Sequence, residues 1–151
     1  MKKQPAGTFD KERGIATFQI QEGNHIFEGI AQCHPDDMDM MSEYTGLAIA
    51  QLRATLKYYR HLRDNKYIPQ IQTIKQLYYA MNRSKKFNPE SYENFMLYRH
   101  LQNLENDLTV IKEIIASLNQ QLTVFIHEKE ELYTKIRAQR KKGQKSLNTA
   151  E

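Results

Sequence analysis

The chain has 151 residues and little of what would mark it as secreted, membrane-bound or disulfide-linked. Its single cysteine, Cys33, cannot form a disulfide within the chain, which fits a reducing compartment. No apolar run approaches the roughly 20 residues that a membrane-spanning helix needs, so we expect no membrane partner. Met-Lys-Lys at the start is not followed by an apolar segment, so we expect no secretion signal and a cytoplasmic location.

Sequence patterns typical of catalysis are also missing. No glycine-rich phosphate loop and no nucleophile motif occurs, and Gly14, Gly23 and Gly29 fall in a predicted hairpin. Cys33 has no obvious base near it in sequence and is interpreted as a small buried apolar residue. We therefore predict a protein that is not an enzyme, with no catalytic residues, no metal and no cofactor.

One polar segment could still suggest a metal site. His34-Pro35-Asp36-Asp37 follows a predicted strand and resembles the zinc-binding segment of the PIG-L/LmbE-like deacetylases. Those enzymes usually carry Glu at the next position, where this chain has Met38. We interpret the segment as a turn in which Asp36 or Asp37 accepts hydrogen bonds from backbone N–H groups.

The most prominent feature is a long stretch free of proline and glycine between Pro89 and Gly143. From Leu97 to Ile136 an apolar residue recurs every three or four positions, which is typical of a coiled-coil or bundle helix. The pattern predicts a helix over 88–142 with Gly143 just past its end. A fold-back near 119–121 is the alternative, and the absence of glycine and proline there favours a continuous helix.

The apolar stripe predicts association. Its first half, near 97–111, can complete a core with the preceding elements, whereas its second half, near 118–136, has no predicted cover within the chain. We therefore expect a homodimer or a protein partner on this stripe, with a monomeric bundle as the alternative; Lys129 interrupts the seam. The residues predicted to mediate association are Leu108, Ile111, Ile115, Leu118, Leu122, Phe125, Leu132 and Ile136.

The N-terminal part predicts a small hairpin packed on two helices. Strands are expected at 14–21 and 25–33, joined by a turn at 22–24. Helices follow from Ser42, a suitable N-cap, to about 64, and over 69–82. The predicted organisation is residues 1–8 disordered, a domain over 9–87, the long helix, and a disordered tail over 143–151. The fold class is mainly α with a small β-hairpin (α+β).

Basic residues give the clearest hint of a ligand. The net charge is +4, and Arg53, Lys57 and Arg60 share one helix face with tyrosines interleaved. The face predicts contact with nucleic acid or an acidic protein surface; a solvated face is the alternative. The predicted binding residues are Arg53, Lys57, Arg60, Arg63, Lys85, Lys86, Arg140, Lys141 and Lys142.

A segment of about 26 residues resembles a known group. The pattern is Gly29-x-Ala31-x-Cys33-x-Pro35-x-Asp37, followed by Gly46-x-x-Ile49-Ala50-x-x-Arg53-Ala54. It is similar to a strand-to-helix segment in small proteins of Gram-positive phages and mobile elements. The resemblance implies that Gly46 and Ala50 are close-packing positions, that Arg53 is a functional or structural cation, and that the protein works in a bacterial host.

Small non-enzymatic proteins of such elements often bind host or phage machinery, and anti-CRISPR proteins are one such group. The resemblance therefore implies a binding protein that inhibits or modulates a nucleic-acid-processing complex. The concrete expectation is an anti-CRISPR inhibitor whose partner is a Cas9-type ribonucleoprotein. Two alternatives stay open: a DNA- or RNA-binding dimer that uses the basic helix face, and a structural coiled-coil scaffold.

Overall fold

The computed structural model of the chain describes residues 6–34, 37, 42–83 and 92–149. In order, it contains β1 (Ala6–Asp10), β2 (Ile15–Glu22), β3 (His25–Gln32), α1 (Glu43–His61), a π-helical segment (Leu62–Tyr67), α2 (Ile68–Asn82) and α3 (Tyr92–Thr149). The fold is α+β and mainly α, as predicted. The chain forms two compact units, the first from Met1–Lys57 and Leu118–Glu151 and the second from Tyr58–Ser117.

The first unit contains an antiparallel sheet of three strands in the order β1-β2-β3. The predicted hairpin is confirmed, because Glu22 pairs with His25 around a two-residue turn in which Gly23 has a φ of 60°. Side chains alternate as expected, with Phe27 buried on one face and Ile26 exposed on the other. One strand was missed: residues 6–8, predicted to be disordered, lie in β1.

β1 was not predicted because its small residues leave no clear alternation of apolar and polar side chains. Gly7 lies opposite Phe18 in the ladder, and a Cβ on Gly7 would be only 3.0 Å from a methyl group of Leu47. A Cβ there would make tight contacts with the Leu47 and Phe18 side chains, so the position favours a small residue, which gives no strand signal. The strand is followed by a turn in which the Asp10 carboxylate accepts the N–H groups of Glu12 and Arg13.

α1 packs against the sheet at unusually short range. A Cβ on Gly29 in β3 would lie 1.9 Å from the carbonyl oxygen of Ala50, and Ala50 and Ala54 are fully buried. Gly46 approaches Ala16, since its added Cβ would be 3.1 Å from the Ala16 methyl. Gly46 and Ala50 therefore occupy the close-packing positions that the resemblance implied. At the start of α1, Ser42 Oγ accepts the Thr45 N–H at 3.3 Å, as an N-cap does.

Between α1 and α2 the chain stays helical instead of forming the predicted break. The Ile68 N–H donates to the Arg63 carbonyl, a five-residue spacing that belongs to a π-helix. Pro69 follows at once and has no N–H to donate. The wider turn before it accommodates the missing donor, so the proline starts α2 without ending the helical path.

In the second unit α2 packs against the first half of α3. Ile71, Leu101 and Leu104 are buried together, with Tyr67, Ile74 and Leu108 against them. Lys75 Nζ lies 3.2 Å from Glu105 Oε1 across the same pair of helices. Tyr78, near the end of α2, meets Tyr98, which precedes Leu101, so the two helices run antiparallel in this unit.

α3 is one continuous helix of 58 residues, so the fold-back alternative does not occur. It extends past the predicted end: Gly143 has no positive φ and lies within the helix, and the predicted tail is helical as far as Thr149. At its other end the predicted start at 88–90 lies outside the described residues. In the described part of the chain no helix is long and apolar enough to cross a membrane.

The prediction that the second half of α3 lacks cover within the chain is wrong. Leu122, Phe125 and Ile126 pack against the buried cluster of Ala16, Ala31, Ile49 and Ala50. The heptad pattern identified the apolar face of α3 but not the surface that covers it. Of the predicted association residues, Ile111 and Ile115 are buried, Leu132 is exposed, and Leu108, Leu118 and Ile136 are half-buried.

Candidate interaction surface

Two of the predicted binding cations are tied to the sheet. Arg53 Nη1 donates to the Ile30 carbonyl at 2.6 Å, and Lys57 Nζ donates to the Glu28 carbonyl at 2.7 Å. Both acceptors lie on β3, an edge strand whose backbone groups need partners. Arg53 and Lys57 therefore hold α1 against the sheet edge. The resemblance implied that Arg53 is a functional or a structural cation, and these contacts give it a structural role.

The other predicted cations are spread along the chain. Arg63 Nε donates to Asp64 Oδ1 at 2.7 Å; this hydrogen bond raises the pKa of Arg63 and lowers that of Asp64. Arg60 is exposed in the second unit. Lys85 and Lys86 lie outside the described residues. Exposed cations at the far end of α3 complete the set: Arg140, Lys141 and Lys142.

The acidic segment after β3 has a partner that the sequence did not indicate. Asp37 is almost fully buried, and Arg137 of α3 grips its carboxylate with two nitrogens, Nε donating to Oδ1 at 2.9 Å and Nη2 to Oδ2. These hydrogen bonds lower the pKa of Asp37. Asp37 thus fastens the distal part of α3 to the connector between β3 and α1. Asp36 lies outside the described residues.

Next to this ion pair lies a buried tyrosine. Tyr133 is almost fully buried, and burial, with Cys33 and Asp37 nearby, raises its pKa to about 12. Lys129, the residue that interrupts the apolar seam, lies over the Tyr133 ring at 5.7 Å. Among the described residues, no three His, Cys, Asp or Glu side chains converge on a point that could hold a metal ion.

An open groove runs between α1 and the second half of α3 within the first unit. It has a volume of about 740 Å³. Its apolar lining residues are Ala48, Leu52, Leu118, Val124 and Phe125. Its polar lining residues are Gln51, Thr55, Gln120, Gln121 and Glu128. Protein-binding surfaces combine apolar and polar groups in this way.

A second, smaller groove continues along the same helix. It encloses about 240 Å³ and shares Phe125 and Glu128 with the first groove. Tyr44 and Leu132, both more than half exposed, line it. Beyond Leu132, the sequence to the end of α3 contains no acid and six lysines and arginines, of which Arg137 is bound to Asp37. The second half of α3 therefore presents an apolar surface followed by a basic one. We call the two grooves and this basic end the α3 surface.

Comparison with known proteins adds no relative: no protein-family model, no curated protein and no solved structure matches this chain.

Proposed function

We propose that this chain is a non-enzymatic binding protein that engages its partner through the α3 surface. The observation that carries the proposal is the continuity of an apolar groove with a basic helix end along a single helix. From Leu118 to Lys142 the helix rises about 36 Å. That length suits a macromolecular partner better than a small molecule.

The exposed apolar residues of the α3 surface support a protein partner. Val124, Leu132 and Tyr44 are large, are about half exposed or more, and lie beside the half-buried Phe125. Exposed apolar patches bordered by polar residues mark interaction sites more often than plain surface. The cations beyond Leu132 favour a partner that carries acids or phosphates next to its apolar contact.

The kind of partner is proposed from the resemblance of residues 29–54. We place the protein in the cytoplasm of a bacterial host, as a phage or mobile-element product that inhibits or modulates a nucleic-acid-processing complex. The concrete candidate is an anti-CRISPR protein, and its partner a Cas9-type ribonucleoprotein. Such a complex presents both protein and RNA phosphates, and this combination matches the two parts of the α3 surface.

A binding and cleavage assay with purified Cas9–guide complex tests this proposal. The variant Val124→Lys places a charge in the groove at an exposed position. Val110→Lys is its matched control, since Val110 is equally exposed on the same helix but outside the groove. We expect the unaltered chain and Val110→Lys to bind and to reduce target cleavage, and Val124→Lys to bind at least about tenfold more weakly.

Absent binding together with full cleavage would reject the anti-CRISPR assignment. Equal binding by both variants would reject the groove as the docking site while leaving the partner in place. The two failures are therefore distinguishable.

A direct nucleic-acid interaction is a second candidate, favoured by the acid-free basic end of α3. It predicts that Lys141→Glu with Lys142→Glu abolishes binding to duplex DNA or RNA, and that binding by the unaltered chain weakens steeply with salt. Binding that is absent or insensitive to salt would exclude it.

Homodimerisation through α3 also stays a prediction, now resting mainly on Leu132 and Ile136, and light scattering of the purified chain measures it.

A further inference from the structure

The second unit carries an aromatic cluster to which both α2 and α3 contribute. It consists of Tyr78 and Tyr79 at the end of α2 and Phe95 and Tyr98 near the start of α3; we call it the aromatic patch. Tyr79 and Phe95 are more than half exposed, and Tyr98 is nearly so. Rings of this size, left open to water side by side, form a surface suited to a ligand with flat apolar faces.

The rings are close enough to act together. The centroids of Tyr78 and Tyr79 are 6.3 Å apart, and those of Tyr78 and Tyr98 are also 6.3 Å apart. Phe95 precedes Tyr98 by three residues on α3, so the two share a helix face. Tyr98 Oη accepts a hydrogen bond from Gln102 at 3.0 Å, which helps to fix its ring. The packing of α2 on α3 thus brings together residues about 20 positions apart in the chain.

Basic residues accompany the rings of the aromatic patch in the sequence. Residues 76–83 and 94–104 contain Arg83, Arg99 and His100, and the nearest acids on α3 are Glu93 and Glu105. All three basic side chains are exposed. Arg83 is folded against the last turn of α2, where its Nε donates to the carbonyl of Tyr79 at 3.3 Å. The Arg83 guanidinium is therefore held at the backbone of Tyr79, the most exposed residue of the patch.

From this arrangement we infer that the aromatic patch binds single-stranded nucleic acid by stacking bases on its rings. Every base has a π face, so exposed aromatic side chains bind single strands with little sequence preference, and neighbouring arginines attract the phosphates. A duplex keeps its bases stacked inside and offers no free face to these rings. The inference is independent of the α3 surface, which lies in the other unit.

Fluorescence anisotropy with labelled oligonucleotides of 20 uridines, 20 deoxythymidines, and a duplex of equal length tests the inference without any partner protein. We expect both single strands to bind more tightly than the duplex. The double variant Tyr79→Ala/Phe95→Ala alters only exposed side chains, and should weaken single-strand binding at least about fivefold. Tyr79→Phe, which keeps the ring, should bind as the unaltered chain does.

Two controls locate the site. Ile26→Ala and Ile30→Ala each remove an exposed apolar side chain in the first unit, outside the two grooves, and should leave oligonucleotide binding unchanged. With two arginines at the patch, the logarithm of the binding constant should fall against the logarithm of salt concentration with a slope of about −1 to −2. Circular dichroism confirms that each variant folds.

Three results would overturn the inference: no single-strand binding, unchanged binding by Tyr79→Ala/Phe95→Ala, or equal binding of the duplex. If the patch variant binds unchanged or the duplex binds equally well, and Lys141→Glu/Lys142→Glu loses binding, the nucleic-acid site is at the basic end of α3 instead. If the patch variant instead loses binding to the Cas9–guide complex while no free oligonucleotide binds, the patch is a protein contact and the inference fails.

Discussion

Replacing Gly29 with alanine should separate α1 from the sheet, because the two backbones touch at this residue. The new Cβ would lie 1.9 Å from the Ala50 carbonyl oxygen and 2.5 Å from the Ala54 backbone nitrogen. Both obstacles are backbone atoms within a helix, so neither can rotate away. To bring the new Cβ to even 3.0 Å from the Ala50 carbonyl oxygen, the helix must move away from the sheet by about 1 Å. A gap of about this size loses a quarter to a half of the dispersion energy of each contact between them.

The cost follows from this displacement. Overpacking a well-packed core costs about 1–3 kcal/mol, and a clash with backbone places this site at the upper end. Alanine recovers about 0.5–1 kcal/mol because it loses less conformational freedom than glycine on folding. The net destabilisation should be about 2–2.5 kcal/mol. For a chain of this length that corresponds to a fall in Tm of about 4–10 °C.

Thermal unfolding followed by circular dichroism measures the effect, and Gly143→Ala provides the control. Gly143 lies within α3 with nothing within 4 Å of an added Cβ, so alanine there should stabilise the chain by about 0.5–1 kcal/mol. If Gly29→Ala melts within about 2 °C of the unaltered chain, the close packing of α1 on β3 is wrong. A lower Tm for Gly143→Ala would mean that α3 does not continue through this residue.

Three further predictions concern α3 and the sheet edge. Leu122→Ala should lower the free energy of unfolding by about 1–2 kcal/mol, because Leu122 packs on the core of the first unit. Leu132→Ala, at an exposed site, should change it by less than about 0.5 kcal/mol. Urea titration compares the two variants. Arg53→Met should lower the free energy of unfolding by about 1 kcal/mol in the same titration, because it removes the hydrogen bond to the Ile30 carbonyl. Unchanged stability would contradict this structural role and leave Arg53 a candidate ligand-binding residue. Arg137 lowers the pKa of Asp37, so the stability that this ion pair provides is present above the ordinary carboxyl pKa of 3.8 and is lost as the pH falls below it. Asp37→Asn should therefore make the fall in Tm between pH 5 and about pH 2 less steep. An equally steep fall in the variant would contradict the ion pair.

Local patterns predicted much of this fold. The two-residue turn at Gly23, the alternation of Phe27 and Ile26, the Ser42 cap and the continuity of α3 all follow from signals within a few residues. β1 was missed because it contains Gly7, whose lack of a Cβ suits the close side chains of Leu47 and Phe18. The helical path between α1 and α2 was missed because a proline normally signals a break.

Features that depend on distant contacts were not predictable from one sequence. The heptad stripe shows that one face of α3 is apolar, but not that Leu122 packs against the buried cluster of the first unit. Arg53 and Lys57 share a helix face, yet the carbonyls they bind lie on a strand more than 20 residues earlier. The aromatic patch needs the antiparallel packing of α2 and α3, and its α3 members carry no motif of their own.

The central functional claim is that the partner docks on the α3 surface. Hydrogen–deuterium exchange of the chain, with and without purified Cas9–guide complex, measures this most directly. We predict slower exchange on complex formation over residues 44–55 of α1 and 118–132 of α3. Unchanged exchange in both segments, or protection confined to other parts of the chain, would contradict the claim.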